Sequence, residues 1–169
     1  MKEMFKKLFG KKEEPVKTIQ ILAPLSGKAV NLASVPDPVF SEKMVGDGIA
    51  IEPSEGIVVS PVDGEIMQIF PTKHAVGIRA KNGAEILIHI GLETVSLKGE
   101  GFETHVQQGD SVKAGDKLVT FDVTTISEKA KSTVTPIIIT NTDQAASVNS
   151  LTEGQVERGS TPILEVTFN

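Results

Sequence analysis

The sequence predicts an all-β domain, an antiparallel β-sandwich or flattened barrel with one or two short helices, and three observations carry that prediction. Short apolar runs rich in Val and Ile recur along the whole chain, each closed by turn residues. Aromatic residues are scarce, with 7 Phe and no Trp or Tyr, so the core falls to Val, Ile and Leu, and the β-branched members of that set favour strands. The 15 Gly and 9 Pro are scattered as punctuation between the runs and form no low-complexity tract. A chain of 169 residues is the size of one ordinary domain and can bury a core.

Residues 1–17 are read as a flexible basic amphipathic leader, and residues 18–169 as the folded domain. Met1, Met4, Phe5, Leu8 and Phe9 recur at helical spacing, with lysines between them. Two readings fit this segment equally: peripheral contact with an anionic membrane through residues 1–12, or a disordered leader. Pro15 marks the change to the domain. Strands are then expected at Ile19–Leu22, Gly48–Ile51, Ile57–Val59, Gly64–Phe70, Val76–Ile78, Glu85–Ile90, Lys117–Phe121, Pro136–Ile139 and Pro162–Val166. Thr125 with Glu128 makes a capping box that opens a helix over SEKAKS. Weaker helical turns are expected at Phe40–Lys43 and near Asp143–Val148. An internal echo relates Ala23-Pro24-Leu25-Ser26-Gly27 to Ser60-Pro61-Val62-Asp63-Gly64, displaced by 37 positions. Two related β units, or chance likeness of turn chemistry, would each produce it; in both copies Gly is expected to supply a positive φ.

Composition excludes several functions. With no cysteine there is no disulfide, thiolate metal site or catalytic thiol. The net charge is −5, but the first twelve residues hold five Lys and one Glu, +4, which leaves −9 on the rest. A body so acidic is a poor nucleic-acid binder. No stretch is long enough to span a membrane and no secretory h-region opens the chain, so a cytoplasmic location is expected.

Among three histidines, His89 stands out. Alternation along EILIHI puts Ile86, Ile88 and Ile90 on one face and Glu85, Leu87 and His89 on the other, so His89 points away from the isoleucine core. His74 opens the preceding strand. A two-residue Asn82-Gly83 turn would pair Lys81 with Ala84 and set His74 opposite Gly91, within diagonal reach of His89. His105 is read as an ordinary surface residue. Near pH 7 a neutral imidazole is an abundant nucleophile, and a second ring beside it can stabilise an acquired phosphoryl group. Thr72 could orient that second ring by accepting from its other nitrogen. Two imidazoles also begin a zinc site without completing one.

The stretches APLSGKAVNL, VPDPVFSEKMVGDGIAIEP, SPVDGEIMQIFPTKHAVGI, GAEILIHIGLETVSLKGEGF, GDSVKAGDKLVTFD and EKAKSTVTPIIITN resemble, in order, the glucose-type enzyme IIA family of the bacterial phosphoenolpyruvate-dependent sugar phosphotransferase system. The resemblance implies a sandwich of duplicated hybrid motifs, in agreement with the echo. It implies that His89 is phosphorylated, that His74 stabilises the phosphoryl group and that Thr72 hydrogen-bonds His74. Val39, Phe40, Phe70, Leu87 and Val95 fall in an apolar rim, with Asp37 and Glu93 as flanking acids; Glu93 stands where aspartate is common. Asp47 reads as a turn acid bonding local backbone N–H groups. The implied donor is phospho-HPr and the implied acceptor a cysteine on the IIB domain of a sugar permease. No cofactor is required, although zinc shared with a partner at His74 and His89 and regulatory targets of the unphosphorylated form both occur in the family. A zinc peptidase on the related scaffold would need an HxH motif, and Leu87 and Gly91 stand at the positions two away from His89. A lipoyl- or biotinyl-type carrier would need a lysine at a hairpin tip, and neither Lys28 nor Lys73 is so placed.

Overall fold

In a computed structural model, which describes residues 17–169, the apolar runs fold as short antiparallel strands. In chain order these are β1 (Thr18–Leu22), β2 (Gly27–Asn31), β3 (Asp47–Pro53), β4 (Ile57–Val59), β5 (Gly64–Ile69), β6 (Ala75–Ala80) and β7 (Glu85–His89). There follow β8 (Phe102–Thr104), β9 (Ser111–Val112), β10 (Lys117–Phe121), β11 (Thr135–Ile139), β12 (Ser147–Ser150), β13 (Gly154–Val156) and β14 (Pro162–Thr167). Two short α-helices, α1 (Pro38–Ser41) and α2 (Val123–Lys129), interrupt them. The expected leader lies outside the described residues except for Lys17, whose carbonyl accepts from Phe168 N and from Asn82 Nδ2. No helix among the described residues is long and apolar enough to cross a membrane.

Eight strands form the main sheet in the order β13-β2-β3-β11-β7-β6-β5-β9, and two three-stranded sheets, β1-β14-β12 and β4-β10-β8, complete the fold. The principal core joins Ile49, Ile51, Val76, Ile78, Ile86, Ile88, Ile137 and Ile139 of the main sheet to Ile21, Val58, Leu118, Leu164 and Val166 of the smaller ones. That is a sandwich, and the described residues form no closed barrel.

The alternate residues of the same strands carry a second, smaller cluster. Ala50 lies between Ile49 and Ile51, and Ile138 between Ile137 and Ile139; both pack with Leu32, Val35, Phe40, Leu92 and Val134, with Leu87 against them. Since successive side chains face opposite ways, the middle of the main sheet is apolar on both faces. This second cluster is the floor on which the histidines stand.

The 37-residue echo has a structural counterpart. Leu22 N donates to Pro61 O at 3.0 Å, and Val59 N donates to Pro24 O at 2.8 Å, a reciprocal pair displaced by 37. Ser26 Oγ accepts from Arg158 N and Asp63 Oδ1 accepts from Ala114 N, again at equivalent positions. Two related units therefore pack about a local pseudo-two-fold axis. The expectation of positive φ at both glycines needs correction, since Gly64 lacks it. What Gly27 and Gly64 share is crowding: a Cβ would overlap the carbonyl of Glu52 or of Arg79 on the adjoining strand.

Local signals were displaced in several places. Helix α2 is capped by Asp122, whose Oδ1 accepts from Thr124 N and Thr125 N, so Thr125 lies inside the helix and does not cap it. Asp is as good a cap as Thr and stands three residues earlier. The turn expected at Phe40–Lys43 starts earlier, at Pro38, because Asp37 caps it and proline at the first helical position is preorganised. Near Asp143–Val148 a 3-10 turn covers only Thr142–Gln144, and Ser147–Ser150 pairs with β14 as a strand. The β6–β7 hairpin slips by one residue from the expected register: Ala80 N donates to Ala84 O, leaving the three-residue loop Lys81-Asn82-Gly83 with Gly83 at φ +95. A turn closed by a left-handed glycine competes with the two-residue Asn-Gly turn. His74 consequently lies opposite Ile90, whose N–H donates to His74 O at 2.7 Å, and not opposite Gly91.

Candidate functional site

His89 is the last residue of β7 and is half-buried, with Ile88 and Ile90 on either side of it fully enclosed in the core. Its partner on β6 is Ala75, a residue small enough to leave room beside the ring. His74 precedes β6 and would face the opposite side if the strand simply continued. Lys73, however, adopts φ +64, a conformation costly for a residue with a side chain, and this turns the chain so that His74 meets His89. The two ring centroids lie 4.9 Å apart at an interplanar angle of 81°. His74 is 4% exposed.

Aromatic contacts extend the pair on both sides. Phe40, held by α1 in the second cluster, lies 5.0 Å from the His89 ring, and Phe70 lies 5.6 Å from that of His74. Leu87 shares β7 with His89 and packs on the second cluster. Val39 and Val95, 42% and 55% exposed, leave apolar surface open to solvent. Met44, at 70%, does the same on the turn after α1 and was not singled out in the sequence, since a lone Met in a loop carries no pattern. Asp37 caps α1, with Oδ1 accepting from Val39 N at 3.0 Å, and its charge reaches His89. Glu93 lies on the turn after Gly91 in a left-handed conformation, φ +58, and is exposed. Asp47 accepts from Gly48 N and pairs with Lys43 at 3.3 Å, a turn-forming role. His105 is exposed and bonds Thr120 through Nε2.

Hydrogen bonding differentiates the nitrogens of each ring. His89 Nδ1 lies 2.8 Å from Gly91 O. A carbonyl only accepts, so Nδ1 carries the proton and Nε2 keeps its lone pair. His74 Nδ1 lies 2.6 Å from Thr72 Oγ1, a contact that either partner can donate. Burial pushes the His89 pKa below its ordinary value, against the upward pull of the Gly91 carbonyl, its own backbone and Asp37. For His74, burial and then the like charge of His89 lower it to about 4. Both rings are therefore neutral near pH 7, one of them with a free nucleophilic nitrogen. Among the described residues no group of three or more His, Cys, Asp or Glu side chains could hold a metal ion, so a zinc ion here would need ligands from elsewhere.

The lowered pKa of His74 is also a stability statement. Between about pH 4 and 6.5 the unfolded chain binds a proton at this residue and the folded chain does not, so stability rises with pH across that window. Acidification through it should remove roughly 3 kcal/mol, with no further loss from this group below it. Urea unfolding of the protein and of His74→Gln at several pH values should show a difference that grows as pH rises from 4 to 6.5. A constant difference would mean that His74 is not held neutral by the fold.

Comparison with known proteins places this geometry in a family setting. The family model described as "phosphoenolpyruvate-dependent sugar phosphotransferase system, EIIA 1" matches residues 19–145. The chain is 60% identical over 165 residues to the PTS system glucose-specific EIIA component of Bacillus cereus, covering 98% of this chain and 99% of that one. It is 55% identical over 166 residues to the protein of that description from Staphylococcus aureus, covering 98% of this chain and all of the other. Among solved structures, glucose permease IIA from Mycoplasma capricolum superposes with a TM-score of 0.83 at 43% identity, covering 91% of this chain and 99% of that one.

Proposed function

Because the chain belongs to the EIIA 1 family of the phosphoenolpyruvate-dependent sugar phosphotransferase system, we propose that it carries a phosphoryl group from phospho-HPr, on His89 Nε2, to the IIB cysteine of a sugar permease. The observation that supports this most is the pair of rings 4.9 Å apart, each with Nδ1 already engaged. In the first step the Nε2 lone pair forms a bond to phosphorus as the N–P bond of phospho-HPr breaks. In the second, a cysteine thiolate forms the S–P bond as the His89 N–P bond breaks, and Nε2 regains its lone pair. Both are direct displacements in which positioning and electrostatic stabilisation supply the catalysis.

His74 stabilises the carried dianion by donating from Nε2. Thr72 orients the ring through the contact of its hydroxyl with Nδ1 at 2.6 Å. The exposed Val39, Met44 and Val95, with Phe40 against His89, Phe70 against His74 and Leu87 on β7, are assigned to an apolar docking face that suits transient, unlike partners. Asp37 sits at its edge, and Glu93 is assigned a flanking role on the turn after Gly91. A cytoplasmic location follows from the proposed partners. A zinc ion shared with a regulatory partner would be held by His74 and His89, with the remaining ligands supplied by that partner.

Reconstitution with phosphoenolpyruvate, enzyme I, HPr and a panel of IIB domains tests the reading. A glucose-type IIB is expected to be phosphorylated fastest, given the names of the relatives. Failure of every IIB to accept from the phosphorylated chain would refute the carrier role.

A further inference from the structure

Four polar side chains are buried among the described residues: Ser60, His74, Thr94 and Thr135. Ser60 bonds Val62 O within its own turn. The other three residues converge on two adjacent peptides, those of Ile90 and Gly91. His74 O accepts from Ile90 N at 2.7 Å, Thr94 Oγ1 donates to Ile90 O at 2.6 Å, and Thr135 Oγ1 accepts from Gly91 N at 3.4 Å while donating to Thr133 O at 3.0 Å. The Thr94 methyl also closes the space beside Gly91: a Cβ there would lie 2.7 Å from Thr94 Cγ2 and 2.8 Å from Ser132 O. With φ +75, residue 91 is confined to glycine on both counts.

From this convergence we propose that Thr94 and Thr135 are positioning residues for phosphoryl acceptance, clamping the Ile90–Gly91 segment so that the Gly91 carbonyl holds the His89 ring in its Nδ1–H tautomer. The inference rests on His89 being the phosphoryl acceptor. A buried hydroxyl is costly to desolvate unless it is bonded; that of Thr94 donates to Ile90 O, and that of Thr135 donates to Thr133 O while accepting from Gly91 N. The Thr94 hydroxyl fixes Ile90 O, while its methyl occupies the space that a side chain at residue 91 would need. Ile90 is the shared element, since its N–H holds the backbone of His74 and its carbonyl is held by Thr94. Release of this clamp lets the Gly91 carbonyl swing away from Nδ1, whereupon the proton can move to Nε2 and block the nucleophile.

The test is imidazole-nitrogen NMR of the 15N-labelled full-length chain at mildly alkaline pH, together with the rate of phosphorylation by phospho-HPr. Unaltered protein should show His89 as the Nδ1–H tautomer. Thr94→Val, which keeps the methyl, should populate the Nε2–H tautomer and slow acceptance about tenfold, the scale on which groups orienting a functional histidine act. Thr94→Ser, which keeps the hydroxyl, should restore both. Wild-type tautomer and rate in Thr94→Val, or loss of both in Thr94→Ser, would overturn the proposal. Should Thr94→Val fail to fold, Thr135→Val takes its place with the same two readouts. If the unaltered chain itself were not phosphorylated on His89, the acceptor reading would fail, whereas the tautomer measurement reports on the clamp by itself.

Discussion

Replacing His89 by Gln is expected to abolish phosphoryl acceptance from phospho-HPr, by at least about 10⁴-fold, a loss of the size seen when a nucleophile is removed from a group acting as a unit. The His89 Nε2 lone pair is free because Nδ1–H is committed to Gly91 O, and the His74 ring is the more buried of the two. The amide of Gln reaches about where Nε2 stood but presents no basic nitrogen. His89→Asn separates chemistry from folding, because its amide lies at the level of Nδ1 and can still donate to Gly91 O. Both variants should be unphosphorylated, and His89→Asn should retain more stability. Intact-mass analysis after incubation with phosphoenolpyruvate, enzyme I and HPr checks the outcome, with the phosphate expected to be acid-labile and base-stable. Retained labelling in either variant, or a phosphate mapped to His74 or His105, would reject His89 as acceptor.

Legibility in the sequence varied with the range of the interaction that decides each feature. The alternation along EILIHI holds because both faces of β7 have neighbours: Ile86, Ile88 and Ile90 pack in the principal core, and Leu87 meets the second cluster. The echo of 37 residues was legible because equivalent turns solve the same packing problem twice. Strands β2, β8, β9, β12 and β13 were not expected, since runs such as GKAVN and SVNS are short and polar and are fixed by the strands beside them. The approach of His74 to His89 was anticipated through a register that the hairpin does not adopt. In the structure the left-handed conformation at Lys73 brings the rings together, and nothing local in Pro71-Thr72-Lys73 advertises it. Thr94 and Thr135 carry no motif either, because their meaning lies in contacts across 4 and 44 positions of sequence.

His74→Gln should divide the two halves of the reaction. Acceptance from phospho-HPr is expected to survive within a few-fold, because an amide N–H can still meet a phosphoryl oxygen on His89. Onward transfer to the IIB cysteine should fall about 10²- to 10³-fold, the usual effect of losing one preorganised electrostatic stabiliser. The difference lies in proton affinity. In the unphosphorylated protein burial holds the His74 pKa at about 4, so the ring is neutral and adds no charge to a dry site. With ring centroids 4.9 Å apart, each negative charge placed on His89 acts over a comparable distance. At an effective dielectric constant of about 20 that amounts to roughly 3 kcal/mol, or about two pKa units per charge. A dianion therefore suffices to bring His74 to protonation near pH 7, so that a cation forms beside the phosphoryl group while it is carried and is discharged after it leaves. Gln has no such proton to take. The His74 titration should accordingly move from about 4 to near neutrality on phosphorylation, measurable by NMR in the stable phospho-form. A His74→Gln protein that phosphorylates IIB at the normal rate, or a His74 pKa unmoved by phosphorylation, would leave the second imidazole without a part in the transfer.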